Sequence, residues 1–156
     1  MAADDRAETV QVERELTRAL AAWGTTSAIS GLLIRGLGAA TASPFLRGFG
    51  GQTAGWGVID AGIAVVGIWR RSTTPDERTP EQAERLRRLL DLNAKADIGY
   101  IAAGAVGVIA APALARRFHR PPTEIAGAGL AIAIQGAFLW ALDSTFAKRL
   151  AGEPDS

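Results

Sequence analysis

Four stretches of this chain run for roughly 20 residues with almost no charge, and densely charged segments separate them. Few folds are open to a polypeptide patterned this way. A helix needs about 20 mostly apolar residues to cross the hydrocarbon of a bilayer, where every backbone amide must be satisfied internally. The runs are about 20–43, 51–69, 94–115 and 123–147. The second, with GWGVIDAGIAVVGIW as its body, and the fourth, with IAGAGLAIAIQGAFLWAL, are the plainest. Arg35 and several Ser and Thr dilute the first. A buried helix of a water-soluble protein competes for any single run, but four of them in 156 residues favour the membrane. The expected fold class is all-α: an integral membrane four-helix bundle of two antiparallel hairpins over 19–149, with a cytoplasmic extension of the third helix.

The flanks set the expected orientation. Lys and Arg gather before the first run (Arg6, Arg14, Arg18), between the second and third (Arg70 to Lys95) and after the fourth (Lys148, Arg149). Arg47, Arg116, Arg117 and Arg120 lie on the other side. Positive residues stay cytoplasmic, so both termini and the long connection are expected there. The acid-rich start, MAADDRAETVQVEREL, is unlike a signal peptide. It reads as an exposed, partly helical lead-in over 1–18, and 150–156 as a flexible tail. Trp23, Trp69 and Trp140 fall toward the cytoplasmic ends of their runs and Trp56 toward an outer end, as interfacial belts require.

Within the long connection, Thr79 is a good N-cap, Pro80 suits the first helical position, and Gln82 completes a capping box. Nothing breaks the pattern between this helix, about 79–93, and the third run. Leu86, Leu89, Leu90 and Asn93 share one face. That face is a solvated seam or a docking surface.

With no Cys and a single His, His119, in an arginine-rich loop, disulfides, thiolate chemistry and histidine-based metal sites are not expected. A net charge of +1 offers no basic face for nucleic acid. No GxSxG, Walker loop, HExxH or CxxC occurs.

The ionisable and amide groups inside the runs are the candidate site: Arg35, Gln52, Asp60, Asn93, Asp97, Tyr100, Gln135 and Asp143. A carboxylate at mid-membrane costs about 2.5–3.5 kcal/mol, so each needs a partner or water. Arg35 and Asp60 are about equally far from a first turn placed at 44–50, which makes them expected partners. Gln52, Trp56 and Asp60 align at four-residue steps, and Tyr100 shares a face with Asp97. Small residues that let helices approach are read at Gly99, Ala103 and Gly107, at Gly127 and Ala131, and at Gly55, Gly62 and Gly67.

Three segments, GWGVIDAGIAVVG, LNAKADIGYIAAG and GAGLAIAIQGAFLWALD, resemble a family of small uncharacterised four-helix bacterial membrane proteins, the DUF6992 family. The resemblance covers about 51–145. The positions it implies are Trp56, Asp60, Asn93, Asp97, Tyr100, Gln135 and Asp143, and it implies no activity.

The expected function is a structural, assembly or accessory membrane module without catalytic activity, cofactor or metal. The alternative is a small oligomeric transporter or channel for protons or cations using the intramembrane acids. A lipid-active enzyme using Asp97, Tyr100 and Asp143 ranks third. The expected partners are the lipid bilayer and either a second copy or another membrane protein.

Overall fold

The computed structural model describes residues 3–73 and 79–151. Five helices fill that range: α1 (Ala3–Ala40), α2 (Pro44–Thr73), α3 (Pro80–Ile109), α4 (Ala111–Phe118) and α5 (Pro122–Leu150). No strand occurs among the described residues, and the chain is all-α as expected. Arg78 and the tail beyond residue 151 lie outside the described residues. Among the described residues only α5 is by itself long and apolar enough to cross a membrane, and α3 with α4 passes the same test together, as a broken span or a re-entrant pair.

Helices α1 and α2 form one antiparallel hairpin, α3 and α5 the other, and α2 packs along α5 to join them. Gly48 meets Glu124, and Asp60 meets Gln135, so α2 and α5 run in the same direction.

The first turn is tighter than the sequence suggested. It occupies 41–43, with Ala42 at φ 53°, and α2 starts at Pro44. The Ser43 hydroxyl accepts from the amide of Leu46, and Pro44 brings a helical φ, so FLRGFGG forms the opening turns of α2. The expected turn at 44–50 is therefore helix.

The third run also differs. It ends at Ile109, and α4 leaves it at 80°. Pro112 has no amide hydrogen, and its ring would strike the carbonyl four residues back, so a straight helix cannot pass through it. His119, at φ 53°, closes α4 in the left-handed conformation.

The lead-in is the clearest departure. It continues α1 without a break from Ala3, and Val12 is 1% exposed. Val12 and Leu16 pack with Leu86 and Leu90 of α3 and with Leu142, Phe146 and Leu150 of α5. Glu15 pairs with Arg149 at 2.7 Å, and the Arg71 guanidinium donates to the Glu13 carbonyl and the Thr17 hydroxyl. A hydrogen bond from Gln11 and the pairing with Arg149 hold the Glu15 carboxyl below its ordinary range. The stretch of α1 from Thr9 to Leu20 is thus docked along one face rather than exposed. It covers Leu86 and Leu90 of the expected docking face, while Leu89 and Leu92 stay exposed.

The N-terminus of α3 is as expected. The Thr79 hydroxyl accepts from the Gln82 backbone amide, and the Thr79 backbone amide donates to Gln82 Oε1. Thr79→Ala removes the hydroxyl that accepts from the Gln82 backbone amide and is expected to cost about 1 kcal/mol of stability in a denaturant titration.

Close packing rests on glycines seven residues apart. Gly24, Gly31 and Gly38 of α1 lie against α2, where Gly50 and Gly57 return the contact. A β-carbon on Gly24 would come within 2.5 Å of the Ala61 amide nitrogen. Gly104 packs on Gly129 and Ala133, and Gly127 on the backbone of Phe45. The glycines singled out on α2 and α3 are different: Gly55, Gly62 and Gly99 face open space, and Gly67 and Gly107 are only loosely met.

Outward-facing positions are strongly apolar, with Leu33 70%, Val58 64% and Ile109 80% exposed. The buried set, by contrast, includes Ser27, Asp60, Asp97, Gln135 and Asp143.

Candidate functional site

Three helices each deliver a carboxylate to the interior of the bundle. Asp60 of α2, Asp97 of α3 and Asp143 of α5 are 2%, 4% and 8% exposed. Their placement follows from helical spacing. Asp60 stands one turn beyond Trp56 and shares its inward face with Ala64, which is also buried. Gln135 and Asp143 are about two turns apart on the inward face of α5. Asp97 lies opposite Gly136, where the missing β-carbon lets the two backbones meet.

Gln135 is the hub. Its amide nitrogen donates to Asp60 Oδ2, and its amide oxygen accepts from Trp23 Nε1 at 3.0 Å. The amide thereby uses both ends, and one side chain ties α1, α2 and α5 together. Trp23 is further held by a stack on Phe138, with ring centroids 3.7 Å apart. Asn93 of α3 and Asp143 line the same cavity. Asp97 is within electrostatic reach of both other acids. The polar line therefore runs Trp23, Gln135, Asp60, Asp97, Asp143, Asn93.

One atom on this line and one beside it are unsatisfied. Asp97 Oδ2 and Trp56 Nε1 are buried without a hydrogen-bond partner. The Trp56 ring packs edge-on against Tyr100, with centroids 5.1 Å apart, while Tyr100 itself is 41% exposed. Among the described residues no three His, Cys, Asp or Glu come together in a way that could hold a metal ion. A cavity of about 400 Å³ between α1, α2 and α3 reaches Asn93 and Asp143, with Arg70 and Arg71 also on its wall.

Of the eight residues expected at the site, Asp60, Asn93, Asp97, Tyr100, Gln135 and Asp143 are gathered here. Arg35 and Gln52 are not. Both line a separate cavity at the opposite end of the bundle. Arg35 lies beside Gly50 because the turn is at 41–43, whereas Asp60 lies beside Gly24. Gly50 and Asp60 are about 15 Å apart along α2, so Arg35 does not pair with Asp60. Trp23 was missed as a member of the network. It and Trp56 belong to the interior, unlike Trp69 and Trp140, which are 64% and 45% exposed. The signal available for Trp23 was its neighbour Gly24 on a buried glycine stripe, which turns that face of α1 inward.

No curated protein and no solved structure matches this chain. A family of unknown function, DUF6992, matches residues 19–144. The match starts at 19 and so takes in α1 from the turn before Trp23, beyond the 51–145 that the quoted segments covered. It includes Trp23, all three interior acids and Gln135, and the chain belongs to the DUF6992 family.

Proposed function

We propose that this chain is a small, non-catalytic, four-pass module of a bacterial cytoplasmic membrane, with both termini in the cytoplasm, whose interior acids take up and release protons. An apolar exterior around a polar interior supports the membrane reading, and the Lys and Arg of the flanks support the orientation.

One observation carries the functional part: Asp97 is almost wholly buried, keeps an oxygen without a partner, and is in reach of two more acids. Buried polar atoms are nearly always hydrogen-bonded, and an exception asks for a guest. A proton is the smallest that satisfies a carboxylate oxygen. The cavity reaching Asp143 and Asn93 gives protons a way in from the side of Arg70 and Arg71. Four helices are too few to enclose a wide path, so a homo-oligomer is the expected working form.

Liposomes holding the purified chain and an internal pH dye test this. Under a potassium diffusion potential, proton entry is expected well above that of empty liposomes. Asp97→Asn is expected to lower it at least about tenfold, the size of effect that general acid–base groups commonly have. Absence of flux, or equal flux in the variant, rejects the reading.

A second reading, a structural or accessory subunit, is favoured by the Trp23–Gln135–Asp60 tie and by the exposed Leu89 and Leu92. It predicts no flux and a co-purifying membrane partner that is lost when Leu89 and Leu92 are changed to Gln.

A further inference from the structure

The end of the bundle away from the acids holds a cavity of about 490 Å³, open to the surroundings and framed by α1, α2, α4 and α5. Arg35 comes to it from α1, Arg47 from the first turn of α2, and Arg120 from the loop before α5. Three distant parts of the chain each contribute a guanidinium. Only Arg120 has an acid beside it, Glu124 at 2.6 Å. Among the described residues no carboxylate pairs with Arg35 or Arg47. The lining therefore carries three positive groups against one negative.

The approach of Arg35 depends on Gly51. A β-carbon there would fall 2.7 Å from Arg35 Nη1, so the guanidinium lies across α2 where a side chain would otherwise stand. Gln52 adds an amide to the polar wall. The opposite wall is apolar, with Leu114, Phe118 and Ile125. Phe118 is 62% exposed on α4, the helix that turns 80° away from α3. Positive forks on one side and hydrocarbon on the other describe an amphiphile with an anionic head. Arginine matches phosphate oxygens two at a time, which a carboxylate-free pair is free to do.

We propose that this cavity binds the headgroup of an anionic phospholipid, with Arg35 and Arg47 clamping the phosphate and Phe118 and Ile125 lying along its first acyl carbons. The proposal rests on the membrane reading above but not on proton uptake.

The full chain in mild detergent, offered phosphatidylglycerol and phosphatidylcholine in equal amounts, is read by native mass spectrometry. Wild type is expected to retain phosphatidylglycerol at least about tenfold over phosphatidylcholine, two charge-assisted contacts sufficing for such a ratio. Arg35→Gln with Arg47→Gln is expected to erase that preference while helix content is unchanged. Arg116→Gln with Arg117→Gln removes equal charge from the exposed face of α4 and is expected to leave the preference intact. The proposal is overturned if wild type shows no preference, if both double variants lose it equally, or if millimolar inorganic phosphate displaces the lipid completely, which would make free phosphate the ligand. A chain that stays monodisperse without detergent would instead sink the membrane reading itself.

Discussion

Gly57→Ile is expected to separate α1 from α2. A β-carbon at 57 would drive into the Ala28 amide nitrogen, and the carbonyl of Gly24 lies almost as close. Both are backbone atoms, so no rotamer change relieves the clash. The helices must move apart, and Gly24 and Gly31 lose their contacts with them. Overpacking commonly costs 1–3 kcal/mol, and with rigid backbone on both sides about 3 kcal/mol or more is expected. On the membrane reading proposed above there is little hydrophobic gain to offset it, because lipid tails solvate the separated faces as well as a neighbouring helix does. Unfolding of the solubilised chain by increasing dodecyl sulfate, followed by tryptophan fluorescence, measures the loss. Gly55→Ile is the control. It adds the same side chain two residues away, where nothing stands within 4 Å, and its effect is expected to stay within about 0.5 kcal/mol.

The second large effect is expected at Gln135. Changing it to Leu keeps the volume nearly constant and removes both hydrogen bonds at once. Trp23 Nε1 and Asp60 Oδ2 are then left in the interior with no partner. Leaving one partner of a buried pair unsatisfied costs the desolvation of that group, more if it is charged. About 2–4 kcal/mol is expected, in the same titration. Asp60→Leu combined with Gln135→Leu is expected to cost clearly less than the two single changes added together, because the double variant no longer strands a carboxylate. Simple additivity would mean that Asp60 and Gln135 do not act on each other.

Sequence legibility depended on how local each cause was. The start of α3 could be read because Thr79, Pro80 and Gln82 lie within one turn of each other and act on neighbouring amides. The inward turn of Asp60, Asp97 and Asp143 could be read because, on the membrane reading proposed above, hydrocarbon penalises any other direction. Arg35 escaped that rule. It sits about one turn from the end of α1, where the missing β-carbon of Gly51 leaves room for its guanidinium on the wall of an open cavity. The first turn was misplaced because GFGG resembles a loop, although Ser43 and Pro44, just before it, form an N-terminal helix signal. The seven-residue spacing of Gly24, Gly31 and Gly38 is plain in the sequence, but four-residue steps drew attention instead. Trp23 and Gln135 are 112 residues apart, and no local pattern joins them. The burial of Val12 is of the same kind, since its neighbours come from α3 and from the last turns of α5.

That last arrangement bears on how the chain is made. Glu15 meets Arg149 across 134 residues, and Val12 waits for Phe146. On a ribosome, residues around Val12 emerge long before Phe146 and Arg149, which shelter them, have been synthesised. The clasp between α1 and the last turns of α5 cannot close until both have been made. A product that stops short of Phe146 leaves Val12 and Glu15 without these partners, as a latch missing its catch.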